Sequence, residues 1–129
     1  MIDHTGFSVT HLEDSKLFYM RILASLGHIV RLEIPGHAVG FGPARSDDGA
    51  DPGGAFWITQ GTPSTPRMHL AFSAKNKEEV DAFHCTGLLA GGKDNGMPGY
   101  RPQYHPGYYA AFILDPDGYN IEAVYHEIR

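Results

Sequence analysis

Residues 4–27 read HTGFSVTHLEDSKLFYMRILASLG, and residues 69–92 read HLAFSAKNKEEVDAFHCTGLLAGG. The two stretches align without a gap when the second is shifted back by 65 positions. The aligned pairs are His4 with His69, Phe7 with Phe72, Ser8 with Ser73, Glu13 with Glu78, Phe18 with Phe83, Leu23 with Leu88, and Gly27 with Gly92. A register shared by a strand face, a helix stripe and a closing glycine indicates an internal duplication.

Each copy of the duplicated unit reads as a strand followed by a helix. Residues 6–9 and 70–73 alternate between apolar and small or polar side chains, which is the period of a half-buried strand. Apolar residues then recur at helical spacing over 15–26 and 77–89. Asn76 and Glu79 are spaced like a capping box, and both helices run into glycine. The sequence therefore predicts two strand-helix units.

Further strand candidates follow each helix, so that each half reads βαβββ. In the first half they are residues 30–34, 38–41 and 55–59; in the second they are residues around Tyr100, 109–114 and 119–125. Residues 115–118, Asp-Pro-Asp-Gly, predict a hairpin turn between the last two strands. The stretch from Gly42 to Gly54 predicts a surface loop. We expect one α+β domain over 1–129, with module 1 at about 1–62 and module 2 at about 66–129.

Composition narrows the classes of function. The chain has 129 residues, a formal charge of −5 and a pI near 5.8, and its basic residues are scattered. This pattern argues against binding to nucleic acid or to a membrane surface. No stretch approaches the ~20 apolar residues of a membrane span, and the start does not resemble a cleavable signal. With Cys85 as its single cysteine, we expect a reducing, cytoplasmic setting and a small-molecule ligand.

Strand alternation places three metal-ligating side chains on one face. His4 and His69 point away from the bulky residues of their strands, and Glu122 does the same in the last strand. Small residues share that face, so a ligand would be able to approach the backbone. Two imidazoles and one carboxylate are a standard donor set for a divalent first-row metal with open positions. We predict that His4, His69 and Glu122 bind one ion.

Other residues are candidates for contact with a substrate. Trp57 stands where the duplication would place a counterpart of Glu122; its ring either fills volume or forms a wall of the pocket with its indole N–H free to bond. The stretch 95–109 is rich in aromatic and polar residues and is either a lid or pocket rim, or an ordered surface loop. In it, Arg101 would neutralise an anionic substrate, and Tyr104 or His105 would act as acid or base.

The residues resemble a known superfamily. His4-Thr5 through Val9, with Ser15, Phe18-Tyr19 and Gly27, is similar to the opening signature of the vicinal oxygen chelate superfamily, which includes glyoxalases, bleomycin-resistance proteins and extradiol dioxygenases. Residues 68–72, MHLAF, resemble the histidine strand of its second module. Residues 115–122, DPDGYNIE, resemble its closing hairpin and metal glutamate. The resemblance covers essentially the whole chain and implies two βαβββ modules that form a curved mixed sheet around a metal-binding cleft.

The resemblance also implies chemistry. Glyoxalase I-like members use four protein ligands around nickel or zinc, and Trp57 departs from that set. Extradiol dioxygenases use two histidines and one glutamate around iron(II), with further catalytic histidine and tyrosine residues for which His105 and Tyr109 are the candidates. The ion would be Fe, Zn, Ni or Mn. Family members commonly form homodimers, sometimes with each site shared between subunits, and we expect a homodimer with the site in one chain or across two.

Three classes of function remain open at this point. The first is a metal-dependent glyoxalase-like or dioxygenase-like enzyme acting on a small oxygen-rich substrate. Its metal ligands would be His4, His69 and Glu122, its substrate-binding residues Trp57, Arg101, Tyr104 and Tyr109, and its catalytic residue His105. The second is a binding protein of the bleomycin-resistance type that sequesters a drug or aromatic compound. The third is a duplicated scaffold that has kept its ligands as relics.

Overall fold

The chain folds into the two βαβββ modules that the duplication predicts, and its fold class is α+β. The structure is a computed structural model in which residues 1–44 and 52–128 are described. Module 1 contains β1 (Thr5–Val9), α1 (Leu12–Ala24), β2 (His28–Ile34), β3 (Ala38–Pro43) and β4 (Phe56–Gln60). Module 2 contains β5 (His69–Ser73), α2 (Lys77–Leu89), β6 (Lys93–Tyr100), β7 (Tyr108–Leu114) and β8 (Asn120–His126).

Each module builds a four-stranded mixed sheet, with order β1-β4-β3-β2 in sheet A and β5-β8-β7-β6 in sheet B. In both sheets the first strand pairs in parallel with the last, and the other pairings are antiparallel. Gly6 pairs with Trp57 in sheet A, and Ala71 pairs with Glu122 in sheet B. These two pairs are related by the offset seen in the sequence, so Trp57 and Glu122 hold equivalent positions.

The helix ends follow from local sequence signals. The side chain of Asn76 accepts a hydrogen bond of 2.8 Å from the Glu79 amide, and the Glu79 carboxylate accepts one of 2.8 Å from the Lys75 amide. These two bonds form the predicted capping pair, except that the Glu79 side chain bonds to the amide of Lys75, one residue before the N-cap Asn76. Gly27 and Gly91 follow the two helices at φ +81° and +98°, where a side chain would be strained. Helix α1 begins at Leu12, three residues before the predicted start.

The two modules share one hydrophobic core on the helix side of both sheets. The Phe7 ring of β1 stacks on Tyr119 next to β8, with centroids 3.8 Å apart. Phe56 of β4 meets Phe72 of β5 edge-on at 5.2 Å. Helices α1 and α2 also contact each other. Because the helix-covered faces are buried together, the opposite face of each sheet is left towards solvent.

The turn between β7 and β8 forms as predicted and is tied to α1. Gly118 donates to the Asp115 carbonyl at 3.0 Å, with φ +87° at Gly118. The buried Asp115 carboxylate accepts from the amides of Asp117 and Tyr119, both at 2.9 Å, and from the Tyr19 hydroxyl at 2.5 Å. Burial raises the pKa of Asp115, and burial beside that carboxyl raises the pKa of Tyr19. One buried aspartate thus holds the turn that leads into β8.

The open face of sheet A is apolar. Three side chains of β2 lie on this face and are each almost half exposed: Ile29, Leu32 and Ile34. They pair with Gly42, Gly40 and Ala38 of β3, and the hydrophobic core lies on the other face of the sheet. The Trp57 ring lies over Gly40, where a Cβ atom would come within 2.7 Å of the indole. The open face of sheet B instead carries His69 and Glu122.

Some predicted bounds differ from the structure. The strand predicted from residue 30 begins at His28, and β3 runs on to Pro43, so the predicted loop from Gly42 is shorter at its start. Residues 45–51 of that loop lie outside the described residues. Residues 95–100 belong to β6 rather than to a loop, and the connection to β7 is confined to 101–107. Neither helix of the described chain has the length and apolar character needed to cross a membrane.

Candidate metal centre

Sheet B brings two of the three predicted ligands together. His69 opens β5 and pairs with Asn120, while Glu122 lies two residues further along β8. The Nε2 atom of His69 is 2.9 Å from Oε1 of Glu122. The Glu122 side chain is only 3% exposed, whereas that of His69 is 46% exposed. The carboxylate is therefore buried in the sheet face, and the imidazole forms its rim towards solvent.

The tautomer of His69 is set by the backbone. Its Nδ1 atom lies 2.8 Å from the Asn120 carbonyl oxygen. A carbonyl oxygen only accepts hydrogen bonds, so Nδ1 carries the proton and Nε2 of the neutral ring carries a lone pair. This lone pair faces a carboxylate oxygen that is also an acceptor. Two acceptors 2.9 Å apart require a cation between them, which is either a proton or a metal ion.

Tyr108 fixes the second oxygen of Glu122. It lies on β7, and its hydroxyl donates to Oε2 of the carboxylate. Burial, the hydrogen bond to Glu122 and the charge of that carboxylate all raise the pKa of Tyr108. The phenol therefore keeps its proton at neutral pH and acts as a donor. With Oε2 held in this way, Oε1 is the oxygen that faces the open side.

The donor set fits a divalent metal. Imidazole nitrogen and carboxylate oxygen are normal ligands for such ions at about 2.0–2.2 Å, and two donors at right angles would then lie about 3 Å apart. The observed separation of 2.9 Å agrees with this. The hydrogen bond from Nδ1 to a backbone carbonyl is the usual support for a metal-binding histidine. Asn120, next to these residues, has a buried side-chain oxygen with no hydrogen-bond partner among the described residues.

His4 does not join this pair within one chain. It precedes β1 in sheet A, its side chain is 59% exposed, and its Nδ1 lies 2.6 Å from Oδ1 of Asp3. The other end of β1 is held near the β7–β8 turn, where the Ser8 carbonyl accepts 2.7 Å from the Tyr119 hydroxyl. Four residues of strand separate His4 from that contact by about 13 Å. Within 1–44 and 52–128, no three ligand-type side chains are grouped as a metal site.

Trp57 lies on the open face of sheet A, at the position equivalent to Glu122. Its indole N–H donates to the Gly54 carbonyl at 3.2 Å. The expectation of a free N–H is therefore wrong, because the backbone between β3 and β4 already accepts that hydrogen. The flat ring over Gly40 remains available as an apolar wall.

Tyr109 lies on the other face of sheet B. Its hydroxyl donates to Oδ1 of Asp81 on α2 at 2.7 Å, and this bond raises its pKa to about 12. Alternation along β7 places its neighbour Tyr108 on the open face, so Tyr108 occupies the place for which Tyr109 was considered. Strand alternation would have found Tyr108 from the sequence. Tyr108 lies on the same face of β7 as Ala110 and Phe112, which pair with Val124 and Glu122 of β8.

The remaining candidates line the same face. Tyr104 is exposed, and its ring packs 4.9 Å from that of Tyr108. His105 lies 5.3 Å from the Tyr108 ring, and its Nδ1 bonds to the Pro106 carbonyl at 2.8 Å. Its Nε2 therefore accepts from Nδ1 of His126, 2.9 Å away. Arg101 lies over Phe112, with its guanidinium carbon 5.4 Å from the ring centroid.

Two modules, each with one helix and a four-stranded mixed sheet, are consistent with the glyoxalase/dioxygenase fold. The chain belongs to the glyoxalase/bleomycin resistance protein/dioxygenase superfamily, whose family model matches residues 1–123. Proteins of this superfamily usually bind a divalent metal and small molecules, and they typically form dimers. The membership agrees with the resemblance seen in the sequence.

One solved structure supports the same assignment, and others share the fold. A glyoxalase/bleomycin resistance protein from Albidiferax ferrireducens T118 shares 30% identity, with a TM-score of 0.77 over 97% of this chain and 98% of that one. A family enzyme from Burkholderia phytofirmans PsJN shares 18% identity, with a TM-score of 0.70 over 98% of each chain. Lactoylglutathione lyase from Agrobacterium tumefaciens shares 21% identity, with a TM-score of 0.64 over 97% of this chain and 92% of that one. No curated protein matches the chain.

Proposed function

We propose that the chain is a metal-dependent enzyme, glyoxalase-like or dioxygenase-like, that acts on a small oxygen-rich substrate. His69 and Glu122 of one copy, with His4 of a second copy, would bind one divalent ion, and two vicinal oxygens of the substrate would chelate it. The observation that carries the proposal is the 2.9 Å separation between Nε2 of His69 and Oε1 of the buried Glu122 carboxylate. Fe, Zn, Ni and Mn all accept this donor set.

The chemistry of the ion defines the role of each side chain. A bound ion would polarise a carbonyl or enediol oxygen and lower the pKa of a bound water. Tyr108 holds Glu122 in one orientation, and the Asn120 carbonyl holds His69 in one tautomer. His105 is the candidate proton acceptor through Nε2, which would have to exchange the hydrogen bond that it accepts from His126 for one from the substrate. Tyr104 and Arg101 would line the substrate side.

A homodimer would complete the site. The open face of sheet A carries Ile29, Leu32, Ile34 and the Trp57 ring, while the open face of sheet B carries the polar groups. Packing sheet A of one copy over sheet B of the other buries the apolar face and places Trp57 opposite the polar one. A two-fold axis repeats the same contact, so two equivalent sites form. In this arrangement, His4 reaches His69 and Glu122 from the second copy.

The rival function is a non-catalytic binding protein of the bleomycin-resistance type. It is favoured by the flat Trp57 ring on an apolar face and by the absence, among the described residues, of a three-ligand group within one chain. In that case the His69–Glu122 contact is an imidazolium–carboxylate ion pair. An aromatic ligand would then bind in the cleft with or without metal.

Elemental analysis of protein purified without chelators tests the proposal. We expect about one ion per chain in the wild-type protein and at least a tenfold loss of metal in His69→Ala. His37→Ala, which removes an exposed histidine from the β2–β3 turn, should keep the metal content. A wild-type protein that takes up no metal after incubation with Zn²⁺, Fe²⁺, Ni²⁺ or Mn²⁺ contradicts the proposal. Ligand binding that is unchanged by chelator would then support the rival.

A further inference from the structure

Strand β6 is shaped around the guanidinium of Arg101. Its pairing with β7 is interrupted by two irregularities, between Asp94 and Gly96 and between Gly96 and Gly99. At these irregularities, two backbone carbonyls of β6 accept hydrogen bonds from Arg101. Its Nη2 donates to the Met97 carbonyl at 2.7 Å, and its Nη1 donates to the Gly99 carbonyl at 2.8 Å. Irregularities of this kind re-aim side chains beside functional sites.

Two glycines of β6 leave space for the guanidinium of Arg101. A Cβ atom on Gly96 would come within 3.3 Å of Nη2 of Arg101 and within 2.8 Å of the Phe112 ring. A Cβ atom on Gly99 would come within 3.2 Å of Nη1. A side chain at either position would crowd the guanidinium, which would have to shift by a few tenths of an ångström.

The charge of Arg101 has no acidic partner among the described residues. Lys16 and Lys77, in contrast, each face a carboxylate, from Glu33 and Glu127. Backbone carbonyls accept hydrogen bonds from Arg101 but leave its charge in place, and the side chain is half buried. A guanidinium has five N–H groups, and the two carbonyls use two of them. The others remain to bind an anion.

The position of the guanidinium connects it to the candidate metal centre. It lies over Phe112, which pairs with Glu122 across β7 and β8. The Phe112 ring is in turn 6.1 Å from the ring of His69. The Phe112 ring thus lies between the guanidinium of Arg101 and the imidazole of His69. All three groups are on the open face of sheet B.

We propose that Arg101 binds a carboxylate of the substrate, so that the substrate carries vicinal oxygens at one end and a carboxylate at the other. The part of the molecule between them passes the edge of Phe112. This inference rests on the proposed function, because the vicinal oxygens need the ion. Arginine suits a carboxylate, since its planar N–H groups match the two oxygens.

Matched diphenols test the inference. The zinc-loaded protein is titrated calorimetrically with 4-methylcatechol, with 3,4-dihydroxyphenylacetate and with 3-(3,4-dihydroxyphenyl)propionate, which share the chelating ring and differ in the carboxylate. We expect at least one acid to bind about tenfold or more tightly than the neutral diphenol. Arg101→Gln should remove that preference and leave the affinity for 4-methylcatechol unchanged. Arg21→Gln removes an exposed charge from α1 and should keep the preference.

Each other outcome has a defined meaning. If the protein takes up no zinc, the proposed function fails before this inference is reached. If zinc binds and the acids show no preference, or if no diphenol binds the zinc-loaded protein, the inference is overturned while the metal site stands. If Arg101→Gln weakens all three ligands equally, Arg101 only supports the shape of β6, and the inference is again overturned.

Discussion

The buried carboxylate of Glu122 shows how single residues define the open face of sheet B. A buried charge is costly unless its oxygens have partners. Oε2 has the Tyr108 hydroxyl, and Oε1 faces His69. The same three side chains therefore give the buried carboxylate its partners and hold one nitrogen and one oxygen 2.9 Å apart on the open face.

Replacing Tyr108 with phenylalanine should weaken metal binding without unfolding the protein. The variant leaves Oε2 of Glu122 without its donor, so the carboxylate is free to rotate away from His69. We expect the dissociation constant for Co²⁺, followed by its visible absorption, to rise by roughly 10–100-fold.

Tyr109→Phe is the matched control for this measurement. It removes an adjacent hydroxyl that bonds to Asp81 on the opposite face of the sheet. Its Co²⁺ affinity and spectrum should match those of the wild type. Equal affinities for the Tyr108→Phe variant and the wild type would show that Glu122 does not need Tyr108 as its support.

At this scale, the sequence predicts which polar side chains share a sheet face better than it predicts the partners of those side chains. His69 and Glu122 could be placed together because strand parity and the duplication constrain both residues. Tyr108 was missed in favour of Tyr109 because a one-residue difference in strand parity exchanges the two faces of a sheet. The hydrogen bonds of Trp57 and Arg101 go to backbone carbonyls in irregular segments, and residue periodicity carries no information about those.

Among the elements, the β7–β8 turn depends on one buried contact with α1. Tyr19→Phe removes the hydroxyl that donates to Asp115 at 2.5 Å, while both residues are buried. The aspartate oxygen would then lack its donor. We expect the free energy of unfolding to fall by about 1–3 kcal/mol in urea denaturation at pH 7. A loss below a few tenths of a kcal/mol would mean that the carboxylate finds another donor.

The edge strand β6 is tied to α2 by a hydrogen bond between His84 and Asp94, and its contribution to stability should depend on pH. Nε2 of the buried His84 lies 2.9 Å from Oδ1 of Asp94, and this hydrogen bond lowers the pKa of Asp94 below its usual 3.8. A carboxyl group with a lowered pKa in the folded state stabilises the protein above its unfolded pKa. That contribution is lost as the pH falls through the folded value.

The Asp94→Asn variant tests this dependence. The wild type should be more stable than the variant in urea denaturation at pH 7 and pH 5. The difference should shrink progressively below about pH 4, because the wild-type carboxyl then becomes neutral as well. A stability difference that stays constant down to pH 3 would show that Asp94 acts through its shape and not through its charge.

The elements themselves were largely predictable, and their irregular parts were not. Helix α2 was predicted with its bounds because Asn76 and the following glycines mark both ends. Strand β6 was read partly as a loop because it contains Gly96, Pro98 and Gly99, which local propensity assigns to turns. Pairing with β7 overrides that preference, and the two irregularities accommodate the glycines.

For the whole molecule, the apolar open face of sheet A should govern association. Leu32→Glu places a charge at the centre of the proposed contact between copies, where it would be desolvated. We expect the wild type to sediment as a dimer and Leu32→Glu to dissociate at least about 100-fold more readily in analytical ultracentrifugation. Leu17→Glu, at a similarly exposed leucine on α1, should remain dimeric. Dissociation of only the Leu17→Glu variant would place the interface on the helices.

The sequence does not say whether the proposed metal site lies in one copy or is shared between two, because strand parity gives the face of His4 but not the copy in which its partners lie. We propose that His4 of one copy completes the His69–Glu122 site of another. Neither His4→Ala nor His69→Ala should form a complete site alone. Metal content measured after the two variants are mixed and allowed to exchange subunits tests the claim most directly. A shared site predicts recovery to about a quarter of the wild-type level, since half of the dimers regain one of two sites. No recovery after proven exchange would contradict it.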